Sequence, residues 1–495
     1  MLAGACATVA ACGGGRADAV STPTAPAGAV PAASTASTAL LRDWPEFGLN
    51  PQRTDATDLA SGITAANVRH LHRATVDLPG TVDSSAIYLH GASVDGSPHN
   101  VAIVTTTYGK TLAIDADSAR ILWTFTPPGY SGWAGSAQIT NTSPLADPGR
   151  QFVYAASPDG LIHKLAIVDG SEVGGGAWPV RITRDATHEK LGAALNIDGP
   201  DLLVATSGYY GDAPPYQGHV VAIDRSSGHV TAIFNTLCAG RRALLVPRNC
   251  PDSDSAILSR GGAVVEPGGG RILVDTGNGP WNGTTNFGDS VLELTAPALK
   301  LRQSFTPSNQ RQLEETDTDL GSSAPALIGG GRVLVGGKDG ILRVLALGAL
   351  NGHPPGGAGA RRRLGGELQR LAVPGGSELF TAPAVWRHGG RTTVFVAAEA
   401  GTEALVLRGG RLLRAWENGK GGTSPVVVGG LLYVFAPGGG GILVYEPARS
   451  APIAALPAGS GHWNSPIVVD GHVIEPLGNA NDHEVKGQLE IFSAA

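Results

Sequence analysis

Short apolar segments recur along the chain, each with a turn inside it. The repeated pattern is an apolar strand, an aspartate or a substitute, a turn, and a second strand that often ends in an aromatic residue. Short apolar runs bounded by turn residues predict strands and hairpins rather than helices. Eight copies occur, at Thr111–Phe125, Leu161–Trp178, His219–Phe234, Ser290–Phe305, Ile341–Leu350, Glu403–Trp416, Ile442–Leu456 and Gln488–Phe492.

A second pattern precedes these copies and combines small polar residues, often a proline, and an apolar strand. Its versions are DSSAIYL, NTSPLA, SDSAIL, SSAPALI, FTAPAVW, TSPVVV and NSPIVV, with a weaker one near Leu191–Ile197. Small residues suit an innermost strand, where strands crowd around an axis. A proline at the first residue of a strand removes no hydrogen bond between neighbouring strands. The repeats therefore predict four-stranded meanders and an all-β, eight-bladed β-propeller.

The two ends of the repeat array predict how the ring closes. Gln488–Phe492 is followed by no further strand before Ala495, and Asn67–Leu78 predicts an outer strand that lacks preceding strands. Pairing the two would complete the eighth blade from both termini. We therefore expect one propeller domain over residues 40–495.

Residues 1–39 have a different composition from the repeats. Val9–Cys12 fits the bacterial lipobox pattern, and a tract rich in Ser, Thr, Ala and Pro follows it. Such a tract cannot bury a core, so it predicts a flexible tether. We expect a periplasmic or extracellular protein, either secreted or lipid-anchored at Cys12. The alternative is a small-residue leader with no targeting role.

Charge and cysteine content exclude several classes of protein. The net charge is −6, and the one arginine run, Arg361–Arg363, lies in a Gly/Pro-rich loop, so nucleic-acid binding is not expected. Cys238 and Cys250 flank a loop-like segment and predict a disulfide. No C-x-x-C-H motif occurs, which excludes covalent c-type haem.

We expect the protein to be a monomer.

The repeats and the segments Asp43–Thr54 and Ile63–Leu71 resemble those of quinoprotein alcohol dehydrogenases. The repeat is similar to the pyrroloquinoline quinone (PQQ) repeat, A-x-D-x-x-T-G-x-x-x-W, over nearly all of the chain after Ala39. In that family, PQQ and Ca²⁺ lie in a funnel on the propeller axis. Oxygen ligands hold the metal, which polarises the quinone carbonyl that accepts hydride. The resemblance thus implies PQQ and calcium as cofactors.

The family's site residues can be matched to this sequence one at a time. TGNGPWNG resembles the Gly-Asn-x-x-Pro-Trp segment, which makes Asn278 a metal ligand and Trp281 a cofactor-binding residue. TDTDL resembles Trp-Asp-Tyr-Asp, which makes Asp317 the catalytic base and a metal ligand, with Asp319 beside it. GGKDGILRVL assigns Lys338 to the quinone oxygens, and ATSGYYGD assigns Ser207 to the cofactor.

The sequence departs from the family pattern at two places. The glutamate ligand after Ser207 is replaced by Tyr209 or Tyr210, with Asp212 as a possible substitute nearby. The family's disulfide between adjacent cysteines is absent. Because calcium affinity depends on the number of charged ligands, these changes predict a divergent quinone and metal site.

Each of these residues also has a purely structural interpretation. Asn278 and Gly279 could form an ordinary tight turn, and Trp281 could be a packing aromatic. Asp317 and Asp319 could bond local backbone amides. Lys338, in a glycine-rich turn, could be solvated.

Two classes of function follow. The first is a PQQ-repeat propeller without confirmed activity that binds an envelope protein or polymer, as the scaffold subunit of the outer-membrane barrel-assembly machine does. The second is an active PQQ- and calcium-dependent dehydrogenase that oxidises an alcohol or a sugar. The lipobox and the missing glutamate favour the first, and the matches at Asn278, Asp317 and Lys338 favour the second.

Overall fold

The computed structural model describes residues 39–209, 211, 213–356 and 358–494, which form eight antiparallel sheets of four strands, the blades of a propeller. Blades 1 to 4 contain Ile87–Val94, Ser97–Thr105, Thr111–Asp115 and Arg120–Phe125; Leu145–Ala146, Phe152–Ala156, Leu161–Ala166 and Val180–Arg181; Asn196–Asp198, Asp201–Ala205, His219–Asp224 and Val230–Asn235; and Val264–Val265, Arg271–Asp275, Val291–Thr295 and Lys300–Phe305. Blades 5 to 8 contain Ser323–Gly329, Arg332–Gly336, Ile341–Ala346 and Gln369–Ala372; Ala384–His388, Arg391–Ala398, Gly401–Arg408 and Arg411–Asn418; Val426–Val428, Leu431–Ala436, Gly441–Tyr445 and Ala454–Leu456; and Ile467–Val469, His472–Leu477, Gly487–Ser493 and His72–Leu78.

Little regular structure lies outside the blades. A short strand, Ala56–Thr57, adds to blade 7 in parallel with its first strand, and Glu189–Lys190 pairs with Ser207–Gly208. Among the described residues, the α-helices are Gln310–Glu315 and Ala358–Arg361, and the 3₁₀ turns are Val68–His70, Tyr130–Gly132, Pro247–Asn249, Leu320–Ser322, Pro374–Gly376 and Ala480–Asp482. None of the helices in the described ranges has the length and apolar character that a membrane crossing needs.

The prediction of an all-β, eight-bladed propeller is confirmed. From blade 3 to blade 8, the first strands of successive blades contact one another, as expected for innermost strands, and the first strand of each blade follows or contains the small-residue pattern. The apolar core is a ring of interfaces between neighbouring blades. One cluster joins blades 1 and 2, the next joins blades 2 and 3, and the largest joins blades 7, 8 and 1.

The ring closes as the sequence predicts. His72–Leu78 pairs antiparallel with Gly487–Ser493, from His72 opposite Ser493 to Leu78 opposite Gly487. The eighth blade therefore takes its outer strand from the N-terminal part of the chain. The disulfide between Cys238 and Cys250 is also confirmed.

Blade 5 differs from the predicted repeat, which ended at Leu350. Its fourth strand is Gln369–Ala372, after a long insertion that includes Arg361–Arg363. The insertion is rich in Gly and Pro, so the sequence there has no apolar alternation that could locate a strand.

A segment before blade 1 fills the space between the inner strands. Phe47 packs on Ala194, Ala324 and Ala382, which belong to inner segments of blades 3, 5 and 6. Arg53 is fully buried and donates hydrogen bonds to the carbonyl oxygens of other inner segments. The axis is therefore a packed core beneath the funnel described next.

Candidate functional site

A cavity of about 390 Å³ lies where the loops of most blades meet around the axis. Its walls come from segments that precede blades 1 to 6 and 8 and from turns inside blades 3, 5 and 8. The lining residues are Asp83, Asn141, Lys190, Gly192, Ser207, Gly208, Tyr209, Gly211, Tyr216, Ala256, Leu258, Arg260, Asp317, Asp319, Ser322, Lys338, Phe380, His462, Trp463 and Asn481.

Four of the residues assigned from the sequence line this cavity: Ser207, Asp317, Asp319 and Lys338. The Lys338 Nζ lies 2.5 Å from Asp319 Oδ2 and 3.8 Å from Asp317 Oδ1. The Asp319 side chain is 5 % exposed and that of Asp317 is 56 % exposed. The three residues therefore form one ionic cluster at the cavity wall, with Asp319 at its buried end.

Backbone geometry places this cluster. The helix Gln310–Glu315 ends just before Asp317, whose φ of 51° lies in the left-handed region. Lys338 follows the second strand of blade 5, and its N–H donates to the Asp319 carbonyl oxygen at 2.9 Å. A side chain at Gly277 would collide with the Asp319 carboxylate, so glycine is required there for the loop of blade 4 to approach.

Asn278 and Trp281 are placed differently from their assignments. Asn278 contacts the cluster through its backbone, since its N–H donates to Asp319 Oδ1 at 2.7 Å. Trp281 lies in a small hairpin opposite Phe287, and its buried indole N–H has no hydrogen-bond partner among the described residues. Neither residue belongs to the cavity lining. Their assigned roles as metal ligand and cofactor contact stay predictions.

The tyrosine that follows Ser207 lines the cavity but is held by the scaffold. The Tyr209 hydroxyl donates to the carbonyl oxygen of Ala186 at 2.8 Å, and burial raises the pKa of Tyr209. Tyr210 and Asp212, the other candidates for the missing glutamate, lie outside the described residues, as does Cys12.

The described residues do not make a calcium site. They contain no group of three or more His, Cys, Asp or Glu side chains that could hold a metal ion. Within the cluster, one Asp319 oxygen accepts from the Asn278 N–H and the other contacts the Lys338 ammonium. A divalent cation needs several uncommitted anionic oxygens, and the ammonium already lies between these two carboxylates.

Lys190 is a second cation in the cavity and was missed from the sequence. Its ammonium lies 5.9 Å from the Tyr209 ring centre, and no carboxylate of the described residues is within ion-pairing distance. Burial and repulsion by Arg260 lower the pKa of Lys190 to about 8, with Asp83 opposing them. Lys190 is therefore a partly uncompensated positive charge facing the cavity.

Asp83 is the centre of a buried polar network in the cavity wall. Its carboxylate accepts from the Asn141 amide and the Ala480 N–H, and it pairs with His462 Nδ1 at 2.8 Å and Arg260 Nη2 at 3.3 Å. Burial by itself raises the pKa of Asp83. The Arg260 charge and the hydrogen bonds outweigh it, so the pKa is lowered from its ordinary value. Asp83 and Arg260 therefore neutralise each other.

Aromatic rings form the remaining wall. Phe380 and Trp463 have ring centres 4.5 Å apart, and His462 lies 4.8 Å from Trp463. These three residues also line a neighbouring cavity of about 720 Å³ beside blades 6 to 8. A ligand in the axial cavity would therefore meet cations and aromatic rings together.

The sequence contained a signal for these missed residues. The small-residue pattern marks the start of each innermost strand, and the funnel lies at that end. Asp83, Asn141 and Phe380 are the first residues of three copies, and Trp463 directly precedes another. A residue at the start of a copy is thus a candidate for the cavity wall, whatever its type.

A comparison with protein-family models supports the PQQ-type repeat that the sequence predicts. Residues 55–240 match a PQQ-repeat family model described as outer membrane protein assembly factor BamB. No curated protein matches the chain.

Several solved structures share the fold of this chain. The quinohemoprotein alcohol dehydrogenase from Comamonas testosteroni is 17 % identical, with a TM-score of 0.64, and the alignment covers 91 % of this chain and 80 % of that one. A europium-containing methanol dehydrogenase is 14 % identical, with a TM-score of 0.65 and coverage of 91 % and 98 %. BamB from Moraxella catarrhalis is 12 % identical, with a TM-score of 0.52 and coverage of 86 % and 99 %. At these identities the likeness concerns the fold alone. The chain is an eight-bladed β-propeller whose residues 55–240 match a PQQ-repeat family model, and its fold is similar to those of the two dehydrogenases and of BamB.

Proposed function

We propose that the protein is an extracytoplasmic PQQ-repeat propeller that binds a small aromatic carboxylate in its axial funnel and is not a calcium-dependent dehydrogenase. The observation that carries the proposal is the Lys190 ammonium, which faces the cavity without a carboxylate partner among the described residues. A buried cation without an anion is costly, so a ligand carboxylate would supply the missing charge.

The other walls suit the ring of such a ligand. Trp463 and Phe380 offer apolar faces, and Arg260, whose charge is offset by Asp83, lines the same cavity and can donate hydrogen bonds. Pockets of this kind combine aromatic lining with a few placed polar groups. PQQ fits this description, because it is a planar ring system that carries carboxylates. Lys190 and Arg260 are the residues that would hold those carboxylates, and bound PQQ would supply a two-electron acceptor.

The extracytoplasmic location is part of the proposal. Disulfides persist in oxidising compartments, and Cys238–Cys250 is one. The lipobox at Val9–Cys12 supports export and a lipid anchor. The full chain is expected to act as a monomer.

The test is retention of PQQ by the purified full chain. PQQ is added with Ca²⁺ or with EDTA, the protein is gel-filtered, and quinone absorbance and dye-linked oxidation of ethanol and glucose are recorded. We expect retention under both conditions, affinity weakened at least about tenfold in Lys190→Met, and no substrate oxidation. The exposed Lys300→Met is the matched control and should bind like the unaltered chain.

Other outcomes would favour the remaining candidates. Calcium-dependent oxidation of an alcohol or sugar would establish the active quinoprotein dehydrogenase, with Asp317 as its base. No retention would favour a scaffold that binds an envelope protein, a role supported by the match of residues 55–240 to the BamB family model.

A further inference from the structure

We propose that Lys338 is a tethered cation that takes the place of a divalent metal in the funnel, so that this site works without metal. The family resemblance implies a calcium ion at this cluster, and the described residues do not provide its ligands. The proposal concerns the ionic cluster itself and stands whether or not the cavity binds an aromatic carboxylate.

Oxygen atoms surround the lysine ammonium as they would surround a small cation. Nζ lies 2.5 Å from Asp319 Oδ2, 3.4 Å from the Asp317 carbonyl oxygen and 3.8 Å from Asp317 Oδ1. Carboxylate and carbonyl oxygens are the ligands that Ca²⁺ prefers. The ammonium therefore contacts the oxygens that a metal at this cluster would use as ligands.

The surrounding backbone fixes the cluster in this arrangement. The Asn278 N–H holds the other Asp319 oxygen at 2.7 Å, and the Lys338 N–H holds the Asp319 carbonyl oxygen at 2.9 Å. A side chain at Gly277 would collide with the Asp319 carboxylate, so the glycine allows the two loops to approach this closely. Because both ends of the ion pair are attached to blade 5, the lysine cannot leave the site as a free ion could.

Charge also opposes a metal while Lys338 is present. The two carboxylates and one ammonium of this cluster carry a formal net charge of −1, against −2 without the lysine. Ca²⁺ affinity falls as the anionic charge of a site falls. A ligand oxygen at this wall would meet the hydrogen-bond donors of an ammonium instead of a Lewis acid.

Removing the ammonium should therefore create the metal site. Calcium and terbium binding to the full chain is measured by calorimetry and terbium luminescence. We expect Lys338→Ala and Lys338→Gln to bind both ions at least about tenfold more tightly than the unaltered chain, and Lys338→Ala/Asp319→Asn to lose the gain. Lys190→Ala removes a cation from the same cavity and should gain nothing.

Thermal melts show which variants are folded. For the unaltered chain, the melting temperature should be the same in Ca²⁺ and in EDTA. Tight calcium binding or calcium-dependent stabilisation of the unaltered chain overturns the proposal. So does an equal gain in Lys190→Ala, or no gain in a folded Lys338 variant.

Discussion

At the scale of single residues, the lowered pKa of Lys190 predicts that the proposed ligand binding depends on pH. Its pKa is lowered to about 8 by burial and by Arg260, so the ammonium is charged at pH 7 and mostly neutral at pH 9. We predict that naphthalene-2-carboxylate, which does not titrate in this range, binds about tenfold more weakly at pH 9 than at pH 7. Calorimetry across this range measures the change. Lys190→Met should bind weakly at both pH values. If the affinity of that variant still fell about tenfold between pH 7 and pH 9, the pH dependence would belong to another group.

Glu475 predicts a pH dependence of stability. It lies in the second strand of blade 8, fully buried, and neither carboxylate oxygen has a hydrogen-bond partner among the described residues. Burial raises its pKa well above the ordinary value, so the folded state binds a proton that the unfolded state releases above about pH 4.5. The contribution of the Glu475 carboxyl to folding stability is therefore fully present at low pH, and it is lost as the pH rises through the pKa of this group in the folded state.

Replacing the Glu475 carboxyl by an apolar side chain should remove this loss of folding stability at high pH. We predict that Glu475→Met raises the unfolding free energy at pH 8 by about 1–3 kcal/mol and has a smaller effect at pH 5. Urea unfolding at both pH values measures the difference. The neighbouring Glu490, which accepts from Arg73 at 2.6 and 2.7 Å, serves as the contrast, because Glu490→Met should destabilise. Equal effects of Glu475→Met at both pH values would contradict the interpretation.

At the scale of elements, the segment around Phe47 and Arg53 holds inner strands together. Arg53 Nη1 lies 2.8 Å from Glu46 Oε2, and its other nitrogens bond the carbonyl oxygens of Leu195 and Gly261. We predict that Arg53→Met costs about 3–5 kcal/mol, because it leaves the buried Glu46 carboxylate without its cation. Chemical denaturation measures the loss. Arg53→Met/Glu46→Met should recover part of it, and a double variant as unstable as the sum of the single changes would contradict this reason.

The sequence could predict the strands and turns, but it could not predict which side chains and loops meet in space. Strands and turns follow from local alternation and glycine placement, so the third strand of blade 5, inside the predicted copy Ile341–Leu350, and the turn at Lys338 were located correctly. The partners of a side chain depend on segments far away in the chain. Asn278 meets Asp319 through its backbone, and Asp83 meets His462 across the ring closure. No local pattern contains that information.

At the scale of the whole molecule, the repeat count and the closure at residues 72–78 and 487–493 were predictable, because repetition is visible in the sequence and a ring needs a partner for its last strand. The residues that line the funnel were predicted only in part. The match to a known family led to Asp317, Asp319 and Lys338, whereas Lys190 and Arg260 follow from this chain's own packing. Fold thus constrains where a site lies more than what it binds.

Ring closure predicts that all eight blades unfold together. Ile491 is fully buried in the strand that pairs with both His72–Leu78 and His472–Leu477, and it packs in the cluster that joins blades 7, 8 and 1. We predict that Ile491→Ala lowers the unfolding free energy by about 2–5 kcal/mol in a single transition. Urea titration followed by both tryptophan fluorescence and far-ultraviolet circular dichroism measures it. The exposed Gln488→Ala, in the same strand, should change stability little. Because every blade depends on two neighbours, opening the ring at one strand exposes apolar faces on both sides. Separate transitions by the two probes would show that the blades unfold as independent units.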